Sequence, residues 1–441
     1  MRALARRTLV ALPVYMTDKK KVAILVGGGP APGINSVIGA ATIRANLEGY
    51  EVLGIRDGYQ WIMKGDLSKA RPLDIQAVSR IHFRGGSCLG TSRANPTKDP
   101  KHLRTAFESL EKLDVGYLIS IGGDDTAFSA MNLAKQSAGA LRVVHVPKTI
   151  DNDLDLPEGI PTFGYQTARH VGTGLVQDLL TDAQTTSRWY FVVAMGRKAG
   201  HLALGIGKAA GATLTIIPEE FESSRITLDH MADILVASIV KRLAYGRPDG
   251  VAVLAEGLVE HLDEKELEKY VPDVERDEHD HIRISEVEFG PIIKARVTEK
   301  LKELGIKTTI VSKNIGYELR CTDPIPYDME YTRDLGYCAA KYLIEGGSGA
   351  MVTIQRGCFK PIKFADMLDP QTGRTRVRMV DTNTEHYKIA RRYMLRLRQD
   401  DFEDPAEIAS YAAVAHLTPE AFKERFEYLV KNEAPPISFE V

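Results

Sequence analysis

The 441-residue chain has only four cysteines, Cys88, Cys321, Cys338 and Cys358, which lie far apart and form no C-x-x-C pair. That scarcity argues against a disulfide scaffold and against a zinc module, and it fits a reducing cytoplasm. No run approaches the roughly 18 apolar residues that a spanning helix requires, so no membrane association is expected. Neither charge sign dominates: 57 Lys plus Arg against 59 Asp plus Glu leave a formal charge of -2. Without a bulk basic field, nucleic acid is not an expected partner, and any phosphate must be bound by a local cluster. A repeat at a solenoid period and an i, i+4 ligand pair of the zinc-helix type are lacking too.

What is present is an ordinary globular composition, 44 % hydrophobic and 26 % charged, long enough for two or three packed domains. Short β-rich runs alternate with helical stretches, the pattern of an α/β fold with parallel sheets. The runs are Val22 to Val26, Tyr117 to Ile121, Val143 to Val146, Trp189 to Ala194, Thr213 to Ile217, Val251 to Ala255, Thr308 to Val311 and Met351 to Gln355. A helix is expected from about Gly33. Several runs lead into motifs rich in Gly, Asp, Lys or Arg, and such motifs are expected to converge because ligands of open α/β sheets sit at strand carboxyl ends. Between Val259 and Glu286 the chain becomes strongly charged, with His261, His279 and His281 among carboxylates; a solvated helical insertion is expected there rather than a metal site. After about Phe359 the sequence turns helical, and Asp404-Pro405 and Thr418-Pro419 each read as an N-cap followed by proline. At the other end, Met16 reads as a natural start and the preceding residues as a frayed extension.

Four motifs carry chemistry. Gly27-Gly28-Gly29-Pro30-Ala31-Pro32-Gly33-Ile34-Asn35 lies between a strand and a helix, where glycines let backbone approach a phosphate; its spacing is wrong for the dinucleotide-binding G-x-G-x-x-G. Gly85 to Arg93 is a second glycine-rich turn ending on an arginine, whose forked donors suit phosphate oxygens. Gly122-Gly123-Asp124-Asp125 places two repelling carboxylates at a strand exit, where magnesium and phosphates are the usual remedy. Finally Lys148-Thr149-Ile150-Asp151-Asn152-Asp153 offers a cation, a hydroxyl and two carboxylates, the parts that phosphoryl transfer needs.

Taken in order, Gly28 to Asn35, Leu89 to Arg93, Gly122 to Asp125, Pro147 to Asp153 and Met195-Gly196-Arg197 resemble the phosphofructokinase family. The likeness continues through Glu256 and through Gly316-Tyr317-Glu318-Leu319-Arg320, and fades in the charged insertion and towards the C-terminus. It implies two Rossmann-like α/β lobes with parallel central sheets around a cleft, plus a helical C-terminal region. On that scheme 17–162 with about 320–370 binds the phosphoryl donor, and 163–319 with about 371–441 binds the sugar phosphate; 1–16 is the extension and 259–286 the insertion.

The resemblance further implies magnesium-dependent, reversible transfer to the 1-hydroxyl of fructose 6-phosphate. Asp151 would be the general base, Asp124 would help hold Mg2+, and Asp153 would lie beside the reacting phosphate. Gly29 and Arg93 would hold the donor. Thr149, Ile150, Asp151, Met195, Gly196, Arg197, Glu256, Tyr317 and Arg320 would line the sugar-phosphate site. Arg188 matches an arginine that family members lend to a neighbouring subunit, which implies a homodimer or homotetramer; a second such arginine should precede Gly316, where this chain offers only Lys307 and Lys313. Arg197 joins Asp151, Asp153, Lys148 and Asp125 as a catalytic candidate.

Donor choice rests on two positions. ATP-using members of the family have glycine in place of Asp125 and of Lys148. A carboxylate at 125 would repel the α-phosphate of ATP, and an ammonium at 148 could offset charge on a departing phosphate, so pyrophosphate is the expected donor. Arg56, Ala94 and Pro30 agree with that choice. The rival expectations are an ATP-dependent enzyme, a kinase of another sugar phosphate such as sedoheptulose 7-phosphate, and a non-catalytic regulatory subunit.

Overall fold

The computed structural model describes residues 20–157, 159–221, 226–262, 266–267, 269, 287–369, 371, 375–431 and 433. The expected extension at 1–16 and most of the charged insertion at 259–286 lie outside the described residues. In chain order the strands are β1 (Lys21–Val26), β2 (Glu51–Ile55), β3 (Ala70–Leu73), β4 (Tyr117–Gly122), β5 (Arg142–Thr149), β6 (Phe163–Gly164) and β7 (Trp189–Ala194). There follow β8 (Leu214–Ile216), β9 (Gly250–Ala255), β10 (Ile310–Ile315), β11 (Ala350–Met351), β12 (Ile354–Gln355), β13 (Cys358–Phe359) and β14 (Ile362–Lys363). The chain divides into two α/β units: one takes the described residues of 1–149, 154–164 and 321–376, the other those of 150–153, 165–320 and 377–441.

The first unit is built on a sheet of order β14-β11-β5-β4-β1-β2-β3, with β6 paired to β5. Its strands are parallel except at the edges, where β3 and β14 run antiparallel to β2 and β11. Along β1 the period of two sends Val22, Ile24 and Val26 into one apolar cluster and Ala23 and Leu25 into the other, so the strand is buried on both faces. The later segment 321–376 is locked in through helix Pro326–Ile344, which crosses helix Ile34–Leu47 so closely that a Cβ on Gly336 would sit 2.4 Å from the Val37 carbonyl oxygen.

Three details differ from the sequence reading. The run placed at Thr308 to Val311 is shifted towards its carboxyl side, since β10 spans Ile310–Ile315 and continues through the polar Ser312-Lys313-Asn314. The run Met351 to Gln355 is not one strand: Val352 still donates its N–H to the His145 carbonyl, but buried Thr353 is bonded to Lys360 at both its hydroxyl and its carbonyl, and Arg356-Gly357, both at positive φ, turn a two-residue hairpin between β12 and β13. β5, in contrast, runs further than expected. Lys148 and Thr149 stand inside it, held by the pairing with Phe163 and Gly164 of β6.

The second unit carries an all-parallel sheet, β10-β7-β9-β8. Its C-terminal stretch is helical, as expected. Asp404 caps helix Pro405–Val414 by accepting from the Ala406 N–H at 2.8 Å, and Thr418 caps Pro419–Phe426 by accepting from Ala421 at 3.2 Å, each with proline in the first turn. Buried ion pairs tie this stretch down: Lys241 to Asp401 at 2.6 Å and Arg396 to Glu220 at 2.5 Å. No helix among the described residues is long and apolar enough to cross a membrane. All four cysteines are unpaired.

Candidate functional site

In the first unit the phosphate-motif residues gather at the carboxyl ends of β1, β4 and β5. Gly27 donates to the Ile121 carbonyl at 2.8 Å and Gly28 to the Ser92 carbonyl at 2.8 Å, which joins the loops after β1 and β4 to the Leu89–Arg93 turn. Thr126 explains two of the glycines: a Cβ at Gly27 or at Gly122 would lie 2.4 Å from its side chain. That turn is fixed from below by Asp57, which accepts from the Trp61 indole at 2.9 Å while its carbonyl accepts from the Ser92 hydroxyl at 2.6 Å. Asn35 straps the neighbouring turn, donating to the carbonyls of Arg84 and Gly85 and accepting from the Cys88 N–H.

Asp124 and Asp125 open helix Asp124–Gln136, where the N-terminal end of the peptide dipoles favours negative charge. Asp124, half-exposed, accepts from the N–H of the exposed Asp125 at 2.8 Å. Behind them His145 is fully buried. Its Nε2 donates to the Gly122 carbonyl at 2.9 Å, and burial pushes its pKa down to about 3, so this ring is a neutral brace for the Gly-Gly-Asp-Asp turn. Lys148 is also buried, 4 % exposed, and its ammonium donates to the Gly29 carbonyl and lies 3.3 Å from where a Cβ on Gly28 would stand. The chain thus sets a cation under the first glycine loop.

In the second unit, adjacent parallel strands β10, β7 and β9 deliver Gly316 and Tyr317, Met195 to Arg197, and Glu256 from one end of the sheet. Met195 donates its N–H to the Ile315 carbonyl at 2.9 Å, and Gly196 donates to Glu256 at 3.1 Å, so the three loops are bonded together. Arg320 lies over the ring of the exposed Tyr317, 4.6 Å from its centroid. Arg197 is exposed. The turn carrying Ile150, Asp151 and Asp153 also belongs to this unit; Ile150 is buried, the two aspartates are half-buried, and between them Asn152 takes φ 58°.

Arg188 does not join these residues. It precedes β7, whereas Met195 follows it, which separates them by roughly 20 Å of extended chain within the unit. Lys313 is exposed on β10. The residues that sequence reasoning missed are supports. His145 was visible as a polar interruption of an apolar strand and Thr126 as the residue after the paired aspartates, but Asp57 and Arg378, which bonds the Asn152 turn, carried no signal in the sequence.

Against known proteins, the family model described as Phosphofructokinase matches residues 21–343. The chain therefore belongs to the phosphofructokinase family. It is 49 % identical over 431 residues to a pyrophosphate–fructose 6-phosphate 1-phosphotransferase of Naegleria fowleri, covering 95 % of this chain and 99 % of that one. A Thermotoga maritima relative of the same name is 50 % identical over 92 % of this chain and 98 % of its own. Among solved structures, a pyrophosphate-dependent phosphofructokinase from Marinobacter aquaeolei has the same fold, with a TM-score of 0.63 at 17 % identity over 95 % of this chain and 94 % of the other.

Proposed function

We propose that this chain moves a phosphoryl group from pyrophosphate to the 1-hydroxyl of fructose 6-phosphate, giving fructose 1,6-bisphosphate and phosphate. The observation that carries the reading is near full-length likeness, at about half identity, to two phosphotransferases of that name. Asp125 and the buried Lys148, the two positions that set donor choice, point the same way.

In this reading the 1-hydroxyl oxygen attacks the nearer phosphorus of pyrophosphate, the P–O–P bond breaks, and phosphate leaves with the bonding pair. Asp151 takes the hydroxyl proton. Lys148 offsets charge gained by the leaving phosphate, and Asp125 keeps a nucleotide out. Gly29 and Arg93 hold the donor; Thr149, Met195, Gly196, Arg197, Glu256, Tyr317 and Arg320 hold the sugar phosphate, and Asp153 lies beside the reacting group.

Among the described residues no three His, Cys, Asp or Glu side chains converge on a metal. The half-exposed carboxylate of Asp124 at a helix start instead fits Mg2+ of the kind held by one or two carboxylates and completed by substrate phosphates. Bound there, the ion would neutralise phosphate charge. Arg188, remote from Met195 in its own chain, acts on the sugar phosphate of a neighbouring subunit, so the working form is at least a homodimer, and it works in the cytoplasm.

A coupled assay supplying pyrophosphate or ATP tests the donor. Turnover with pyrophosphate and little with ATP is expected, and it should stop on chelation and return with added Mg2+. A preference for ATP would overturn the donor assignment, and full activity in chelator the metal.

A further inference from the structure

Asp151 and Asp153 flank a residue in the left-handed region, a conformation that asparagine tolerates but that neighbouring structure must hold. Arg378 contributes to the hold at three points. Arg378 donates its backbone N–H to the Asp153 carbonyl at 2.8 Å, its Nε to the Asn152 carbonyl at 3.1 Å and its Nη2 to the Asn152 side-chain oxygen. Two of these are charge-assisted, and together they grip the turn on backbone and side chain.

The grip is itself braced. The Arg378 carbonyl accepts from His201 Nε2 at 3.1 Å, and His201 begins helix His201–Ala210 just beyond Met195 to Arg197. Burial pushes the His201 pKa down to about 4, so a neutral ring whose Nε2 donates matches this contact. Glu219 completes the lacing: one of its oxygens accepts both the Gly200 N–H at 2.8 Å and the Val380 N–H at 2.9 Å. Segment 378–380 is therefore bonded on one side to the aspartate turn and on the other to residues 200–201.

We infer that Arg378 is a positioning residue for the reaction, fixing the Asn152 turn so that Asp151 is held where it can take the hydroxyl proton. It acts through its bonds to Asn152 and Asp153. The inference rests on the proposed role of Asp151. Loss of such a hold lets a base drift, and about 1 Å of misplacement can cost on the order of 10²-fold in rate.

The test compares wild type, Arg378→Ala, Arg378→Lys and Asn152→Gly with pyrophosphate and fructose 6-phosphate, following kcat, both KM values and the thermal midpoint. For Arg378→Ala, kcat should fall by about 10²-fold while the KM for pyrophosphate stays within about 2-fold, and added guanidinium ion should restore part of the rate. Arg378→Lys keeps the charge but cannot bond two oxygens in the fork geometry, so it should lie between. Asn152→Gly should cost less once Arg378 is already gone than in wild type, because both changes remove the same side-chain bond. Unaltered kcat in Arg378→Ala would overturn the inference. So would a rate loss that guanidinium leaves untouched, that Arg378→Lys does not ease, and that follows the thermal midpoint alone. If Arg378→Ala does not fold, Arg378→Lys decides by the same split of kcat from KM. A wild-type enzyme inactive with pyrophosphate would instead defeat the proposed reaction, which separates the two failures.

Discussion

Asp125 occupies the exposed first turn of a helix, where a carboxylate is well tolerated and its removal leaves no buried group unpaired. Asp125→Gly should therefore fold normally and report only on the donor. Measurable ATP turnover is expected, though weak, since Arg56 and Ala94 provide no aromatic platform; ATP use unchanged from wild type would place the block elsewhere. His145 makes a different kind of prediction, about acid. Its folded pKa, about 3, lies below the ordinary value of 6.5, chiefly through burial. As pH falls the unfolded chain takes up this proton first, so the stability His145 contributes is complete above 6.5 and is lost on the way down towards 3. At pH 4.5 the loss is roughly 3 kcal/mol. His145→Gln retains a donor for the Gly122 carbonyl without the titration, and its unfolding free energy should fall less between pH 7 and 4.5 than that of wild type. The side chains proposed to meet phosphate stood out one by one because glycine turns, paired aspartates and Lys148 are chemically conspicuous in a row. Their supports did not, because Asp57 and Arg378 act through contacts made by folding, and a lone arginine or aspartate in sequence looks like surface.

Strands were the most legible elements, since a strand buried on both faces must be a run of apolar residues, as in Trp189–Ala194 and Tyr117–Gly122. Composition misled at Met351 to Gln355, where the hairpin is decided by the bonding of Thr353 to Lys360 and by a turn at Arg356-Gly357, neither of which interrupts the apolar pattern strongly. The C-terminal helices were readable at their caps but not in their anchorage. Lys241 and Asp401 are both buried, and Asp401 also accepts from the Arg398 N–H at 2.8 Å. Asp401→Ala leaves Lys241 without its carboxylate and should cost about 3–5 kcal/mol in a urea titration, whereas the double change Lys241→Met with Asp401→Leu should recover most of it. Equal costs for the single and double variants would mean that the pair contributes little beyond packing.

At the scale of the assembly, a site that takes Asp151 from one subunit and Arg188 from another can be tested by mixing. Asp151→Ala alone should lose about 10²- to 10⁴-fold in kcat, and Arg188→Ala alone should raise the apparent constant for the sugar phosphate and not that for pyrophosphate. Subunits of the two variants, dissociated together and reassembled, should recover activity at low sugar phosphate, because half the sites of each mixed pair then carry neither defect. A mixture no more active than the sum of its parts would place Arg188 in the site of its own chain or outside the site altogether.

Arg378 lies 35 residues beyond the 21–343 segment that matches the family model. During synthesis every motif from the first glycine loop to Arg320 leaves the ribosome before this arginine does, so on the positioning role inferred for it the turn bearing Asp151 stays unfastened while they emerge. A polypeptide stopped between Arg320 and Arg378 would carry all the recognisable motifs and lack the residue inferred to hold the proposed base in place.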